Sequence, residues 1–363
     1  MLEPTGEQLV FKAEVRRYLE RAWPTTVTRI AVDGGPPFDT TAWSGLAAMG
    51  ATGLMVPAEY GGAGASVVEA AFVCEELGRL VVAAPYLSSS VLAALLLTGL
   101  ADDDVKARYL PGIADGSTVA TVAFLDDRGR WHPDRIGVRE EHGRLTGRVA
   151  YVTDLPAADL VLVVAAGPDG QRVHPIAQDA PGVTVEPLDC LDRTQPIGAL
   201  SLADVASTGA PVDTDVLDHM VACALACLAA SQVGGAERCL DLAAGYATQR
   251  VQFGRVIGSY QAIKHRCADM LARVESARSA AHHLVDAVAT HAKDVAVAAS
   301  LATAFCSDAY VACAGDLIQV HGGIGFTWEH DAHLYLKRAK ASAHLLGDPA
   351  HHRDLLARHL LGR

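Results

Sequence analysis

The chain has 363 residues, 50% hydrophobic and 20% charged, which supplies a large core and exceeds what one small domain needs. A formal charge of −12, with no Lys/Arg-dense run, excludes a general nucleic-acid binder. Eight cysteines without a Cys-x-x-Cys pair read as small buried thiols of an intracellular protein, which excludes a disulfide framework or a zinc site.

The opening MLEPTGEQLVFKAEVRRYL has helical periodicity and lacks the basic-then-apolar order of a secretory signal. Helices are expected from 40 to 110, interrupted by the turn-rich VPAEYGGAGA at 56–65. The apolar stretch 80–100 approaches the length of a membrane span, but its proline, serines and polar flanks predict a buried helix and no stable membrane insertion. ADDDVK at 101–106 reads as a helix start. From 118 to about 205, short apolar runs separated by Gly, Pro and Asp read as strands, with GPDG at 167–170 as a turn. Helices return at 213, and the Ala/Leu-rich stretch 220–244 predicts one buried on several faces. The expected class is α+β in three parts: a helical domain over 1–115, a middle β domain over 116–210 and a helical domain over 211–363. Clefts between such parts are places for a large cofactor.

Two stretches invite chemistry. In GYATQRVQFGRVIGSYQ, Arg250 stands three residues before Phe253-Gly254, so a guanidinium and a ring can share one face while the glycine bends the chain. That suits an anionic, partly aromatic ligand, and equally a plain helix-helix corner. In LIQVHGGIGFTWEH, Gln319 precedes Gly322-Gly323 and Gly325, which let backbone amides approach a phosphate or simply make a turn. His321 could donate there or pack. Glu75 and Glu76 are adjacent on a helix, diverge, and read as packing or solvated groups. The histidines at 282, 283, 330, 333, 344, 351 and 352 read as surface residues, and no metal is expected.

Taken together with Trp43, LAAMGATGLMVPAEYGGAGAS and GRLTGRVAYVTDLPAADLVLVVA, these stretches resemble the acyl-CoA dehydrogenase family over nearly the whole chain, in the right order. The resemblance implies an N-terminal helical domain, a middle β-barrel-like domain and a C-terminal four-helix bundle. It also implies FAD as cofactor, α,β-desaturation of an acyl-CoA thioester, and electron-transfer flavoprotein as acceptor. By the same resemblance, Arg250, Phe253, Gln319, Gly322 and Gly323 reach across a subunit interface to the adenine-pyrophosphate part of a neighbour's FAD. Tyr151-Val152-Thr153 would flank the isoalloxazine, with the Thr153 hydroxyl toward it.

Two departures from the family pattern stand out. Where the family carries Thr-Glu-Pro and Gly-Ser-Asp along the flavin, this chain has VAFLDDRGRWHPD at 122–134. Where the family places its glutamate base, this chain has Leu346, followed by Gly347 and Asp348; the alternative helical position of that base falls on Ala224. Neither side chain accepts a proton, and Asp348 is the weak remaining candidate. A positioned base is worth about 10²–10⁴ in rate. The resemblance is therefore to the base-lacking subunit of actinobacterial heteromeric enzymes, which act on steroid side-chain CoA thioesters. The expected assembly is a cytoplasmic α2β2 heterotetramer with a catalytic sister subunit. A self-sufficient homotetramer with a relocated carboxylate and a non-catalytic structural protein are the rival readings.

Overall fold

The structure is a computed structural model that describes residues 4–362. Its first part is helical: α1 (Gly6–Ala22), α2 (Thr25–Val32), α3 (Thr40–Ala48), α4 (Val67–Arg79), α5 (Ala94–Thr98) and α6 (Asp103–Ala114). Sequence signals start several of these helices. Thr5 with Gln8 and Ser66 with Glu69 form reciprocal capping boxes, and Asp102 accepts from the Val105 N–H. The stretch 86–93 ahead of α5 is a buried π-helix.

Eight strands follow: β1 (Ala120–Ala123), β2 (Val138–Glu141), β3 (Arg144–Thr153), β4 (Leu160–Gly167), β5 (Gly170–Ala177), β6 (Val183–Pro187), β7 (Ile197–Ala206) and β8 (Ala210–Pro211). They form one mixed sheet in the order β6-β7-β3-β2-β4-β5-β8, with β1 parallel to β4. Period-two alternation divides β4 between two cores. Leu160, Leu162 and Val164 face the helices, while Val161, Val163 and Ala165 face a separate sheet core with Leu145, Val149 and Leu200. The sheet is thereby fixed to the helical layers on one side only.

The last part contains α7 (Thr214–Gln249), the hairpin β9 (Val251–Gln252) and β10 (Arg255–Val256), α8 (Gln261–Ala289), α9 (Val295–His321), α10 (Gly323–Phe326), α11 (Ala332–Ser342) and α12 (Pro349–Leu360). Helices α7 and α9 are long and apolar enough to cross a membrane, yet most of each apolar stretch is buried inside the protein, as in core helices. At the crossing of α4 and α7 the backbones nearly touch. A Cβ at Gly234 would lie 1.9 Å from the Glu75 carbonyl oxygen, and one at Gly78 would lie 2.0 Å from that of Ser231. Glu75 and Glu76 are both buried here. Lys12 and Arg278 pair with Glu75, and Arg16 with Glu76. Burial raises the Glu75 carboxyl, but these two cations outweigh it and leave it below its ordinary value. Glu75 is thus an ion-paired stitch between the first and last helical parts, through Arg278, while Glu76 ties α4 to α1.

Candidate functional site

The hairpin after α7 explains Phe253-Gly254 locally. Gln252 pairs with Arg255, leaving a two-residue loop in which Phe253 (φ 54°) and Gly254 (φ 79°) are both left-handed. Glycine takes that conformation freely. A bulky aromatic does so at a cost of roughly 1–2 kcal/mol, and here its ring is 91% exposed, so no packing repays the strain. Beside it, Arg250 is exposed at the end of α7.

Helix α9 ends next to this hairpin. Tyr246 of α7 stacks on His321 at 4.2 Å between ring centroids, and His321 lies 4.4 Å from His330. His321 is buried, contacts the Leu317 carbonyl through Nδ1 and is held below its ordinary pKa by burial, so it packs and leaves ligand contact to its neighbours. The stack brings the ends of α7 and α9 together, with Gln319, Gly322 and Gly323 exposed. A Cβ at Gly322 or Gly323 would meet nothing within 4 Å, and Gly322 has φ 64°. An exposed guanidinium, an exposed ring and bare backbone on one outward surface can cradle an aromatic nucleotide and its pyrophosphate. Thr153 is not in this group; it ends β3, buried, with its carbonyl accepting from the Thr121 hydroxyl at 2.6 Å.

Asp154 follows Thr153 in a left-handed conformation (φ 55°) and is buried. It accepts from the Ser88 hydroxyl at 2.7 Å, which links the sheet to the π-helix. Burial pushes its carboxyl up to about 7 despite that bond. Nearby, Arg338 of α11 pairs with Asp192 at 2.6 Å and donates to Val82 O, so all three parts of the chain meet at one buried polar junction.

Leu346 stands where a base is expected, only 4% exposed and at φ 62°, followed by Gly347 at φ 114°. Asp348 is the N-cap of α12. It accepts from the His351 N–H at 2.7 Å and pairs with Arg130 at 3.3 Å. The His351 N–H, reinforced by Arg130 against slight burial, holds the Asp348 carboxyl below its ordinary value, which makes it a poorer base. Ala224 is fully buried in the core. Of the carboxylates flanking it, Asp218 accepts from the Trp131 indole N–H at 2.6 Å, and Glu237 is taken up by Arg79 and Arg278.

The segment 122–134 turns on itself. Asp126 is buried and accepts from the N–H groups of Arg128 and Arg130, while Gly129 lies against Tyr151. Two of its side chains cross to the helices, Arg130 to Asp348 and Trp131 to Asp218. These contacts join residues far apart in the chain and carry no local sequence signal. His352, expected on the surface, is buried: it is 3% exposed and meets the Leu346 carbonyl through Nε2 at 3.2 Å. Among the described residues, no group of three or more His, Cys, Asp and Glu side chains could hold a metal, and all eight cysteines are free.

Comparison with known proteins agrees with this architecture. The family model for the acyl-CoA dehydrogenase N-terminal domain matches residues 5–117, and that for the acyl-CoA dehydrogenase C-terminal domain matches residues 219–361. Acyl-CoA dehydrogenase IpdE2 of Mycobacterium tuberculosis is 36% identical over 359 residues, covering 99% of this chain and 97% of that protein. IpdE2 of Mycolicibacterium smegmatis is 34% identical over 345 residues, covering 94% and 95%. Among solved structures, the ChsE4-ChsE5 complex from Mycobacterium tuberculosis superimposes with a TM-score of 0.90 at 28% identity over 99% of each chain. A variant of the Tcur3481-Tcur3483 steroid ACAD does so with 0.87 at 27% identity over 98% of each. The chain belongs to the acyl-CoA dehydrogenase family, FAD-dependent oxidoreductases with a helical domain on either side of a β domain.

Proposed function

We propose that this chain is the base-lacking subunit of a heteromeric acyl-CoA dehydrogenase and completes the FAD site of a catalytic sister subunit. One observation carries the reading. The positions for a proton acceptor hold Leu346 and Ala224, both buried, and the neighbouring carboxylate Asp348 is committed to capping α12 and to Arg130. His352 touches Leu346, but burial pushes its imidazole down to about 4, too low to act as an effective base. In contrast, Arg250, Phe253, Gln319, Gly322 and Gly323 are intact and exposed on an outward surface, as contacts to a neighbour's cofactor must be. The folded-back segment 122–134 and its bond to α12 support the same reading for the chain's own half-site, where Thr153 is what remains of the flavin contacts.

When bound, FAD supplies the hydride acceptor for α,β-desaturation of the acyl-CoA. In this proposal the chain's own residues bind and orient: Arg250 neutralises pyrophosphate, Phe253 stacks on the adenine, and the Gly322-Gly323 turn offers backbone N–H groups. The three parts divide near 115 and 210, the assembly is an α2β2 heterotetramer in the cytoplasm, and electron-transfer flavoprotein is the acceptor. The paired ChsE4-ChsE5 and Tcur3481-Tcur3483 relatives support a two-chain enzyme, and the latter's description as a steroid ACAD supports a steroid side-chain CoA substrate.

The test is an acyl-CoA dehydrogenation assay with an artificial electron acceptor, run on the chain alone and on the chain co-expressed with a sister acyl-CoA dehydrogenase. The chain alone should be inert and the pair active, with activity abolished by replacing the sister's glutamate base. Turnover by the chain alone would favour the self-sufficient rival.

A further inference from the structure

The turn that carries Gly322 and Gly323 is held very little by its own side chains. Gly322 is left-handed at φ 64°, a Cβ at Gly322 or Gly323 would meet nothing within 4 Å, and Phe326 is 83% exposed. Within the turn, the Gly325 N–H donates to the Gly322 carbonyl at 3.0 Å and the Thr327 N–H to the Ile324 carbonyl at 3.1 Å. Glycine backbone has the most freedom to lose on ordering, so such a turn keeps one shape only where its base is fixed.

That base is a column of three rings. His321 ends α9, His330 lies just beyond the turn, and their ring centroids are 4.4 Å apart; Tyr246 of α7 stacks on His321 at 4.2 Å with the planes 23° apart. Hydrogen bonds fix both imidazoles. His321 Nδ1 faces the Leu317 carbonyl at 2.9 Å, which can only accept, so this nitrogen carries the hydrogen; His330 Nδ1 accepts from the Ala332 N–H at 3.1 Å. The residue after His330 is anchored as well, since Asp331 pairs with Arg29 of α2 at 2.6 Å. Gly325 folds back onto the column, where a Cβ would lie 2.9 Å from that of His321. Tyr246 carries the link onward, because its carbonyl accepts from the Arg250 N–H at 2.9 Å in the last turn of α7. Deeper in the molecule, Ala243, Ala247, Leu317 and Val320 share one apolar core, which holds α7 to α9. The rings extend that packing to the surface, where they relate Arg250 to the glycine turn.

We propose that Tyr246, His321 and His330 are positioning residues: by ring stacking they order the glycine turn against Arg250 before any flavin arrives, and they act on the flavin through that backbone. Backbone ordered in advance spares the ligand the cost of ordering it. The purpose of this ordering rests on the shared-flavin reading, whereas the ordering itself is measured without flavin or sister subunit. Hydrogen exchange read by mass spectrometry on the full-length chain alone would compare His321→Asn, which can keep an N–H donor and loses the ring, with His321→Phe, which keeps a ring and loses the donor. Exchange over 322–327 should be at least about threefold faster in His321→Asn and within about twofold of the unmodified chain in His321→Phe. Tyr246→Leu and Tyr246→Phe, at a half-buried position, should divide in the same way. In the complex with a sister subunit, flavin retention by equilibrium dialysis should weaken by about two- to tenfold in His321→Asn and Tyr246→Leu, the range of an aromatic pair, and be kept by the two phenylalanine variants. Unchanged exchange in both ring-deleting variants, or phenylalanine variants as impaired as these, would overturn the proposal. Flavin loss without faster exchange would also overturn it, because it would assign the side chains to direct ligand contact. A complex that retains no flavin with the unmodified chain would overturn the shared-flavin reading instead, and the exchange comparison would still decide whether the rings order the turn.

Discussion

At the scale of single residues, a base and a structural carboxylate predict different losses. Asp348→Ala removes an N-cap and should lower unfolding free energy by about 1 kcal/mol. Activity of the co-expressed complex should stay within about twofold, whereas loss of a catalytic base would reduce it by about 10²–10⁴. Denaturant melts and steady-state rates on the same preparation separate the two. Phe253 offers the reverse test, because its left-handed turn position suits Asn far better than an exposed aromatic. Phe253→Asn should stabilise the isolated chain by about 0.5–1 kcal/mol and weaken FAD retention by the complex by about tenfold, read by melting and by equilibrium dialysis of flavin. A variant that gains stability and keeps its flavin would remove Phe253 from the proposed site. Asp154 ties stability to pH. Its carboxyl is raised from 3.8 to about 7 by burial, so the folded state holds a proton that the unfolded state has released between those values. Its contribution is therefore fully present below pH 3.8 and is lost as pH rises through 7. Asp154→Asn should flatten that dependence, measured as unfolding midpoint between pH 5 and 8; an unchanged slope would assign the dependence to another group.

At the scale of elements, α4 and α7 cross where glycines admit backbone against backbone. Gly234→Ala would put a methyl group 1.9 Å from the Glu75 carbonyl oxygen, which no rotamer change relieves. The expected cost is about 3 kcal/mol or more, seen as a lower denaturant midpoint or loss of soluble chain, whereas Gly245→Ala on the same helix has open space and should be nearly neutral or stabilising. Much at this scale was legible in sequence. The short apolar run ADLVLVVAAG, bounded by Asp and Gly, marks β4, the Ala/Leu density of 220–244 marks the buried helix within α7, and ADDDVK at 101–106 marks the start of α6. The π-helix at 86–93 was not legible beyond being a buried helix, because a widened turn carries no hydrophobic period of its own. The burial of His352 was equally hidden. It goes with a left-handed Leu346-Gly347 turn ahead of α12 and a contact from His352 Nε2 to the Leu346 carbonyl, and two adjacent histidines in a sequence do not reveal which one faces inward.

At the scale of the whole molecule, the proposed flavin contacts and the long-range contacts of segment 122–134 differ in how far the sequence reveals them. Arg250 with Phe253, and Gln319 with Gly322 and Gly323, are proposed as flavin contacts from two short motifs, and the Tyr246-His321 stack brings together the helix ends that carry them. The contacts of segment 122–134 are long-range. Trp131 to Asp218 and Arg130 to Asp348 span the β domain and the last helices, and sequence spacing gives no access to such contacts. The exposed outward groups and the folded-back segment 122–134 are what the proposed role, serving a neighbour's cofactor, requires. The most direct test is flavin stoichiometry. FAD per chain is read by absorbance, and assembly mass by native mass spectrometry, for the chain alone and co-expressed with a sister acyl-CoA dehydrogenase. The account predicts no retained FAD on the chain alone and about one FAD per two chains in an α2β2 complex. One FAD on every chain purified alone would contradict it.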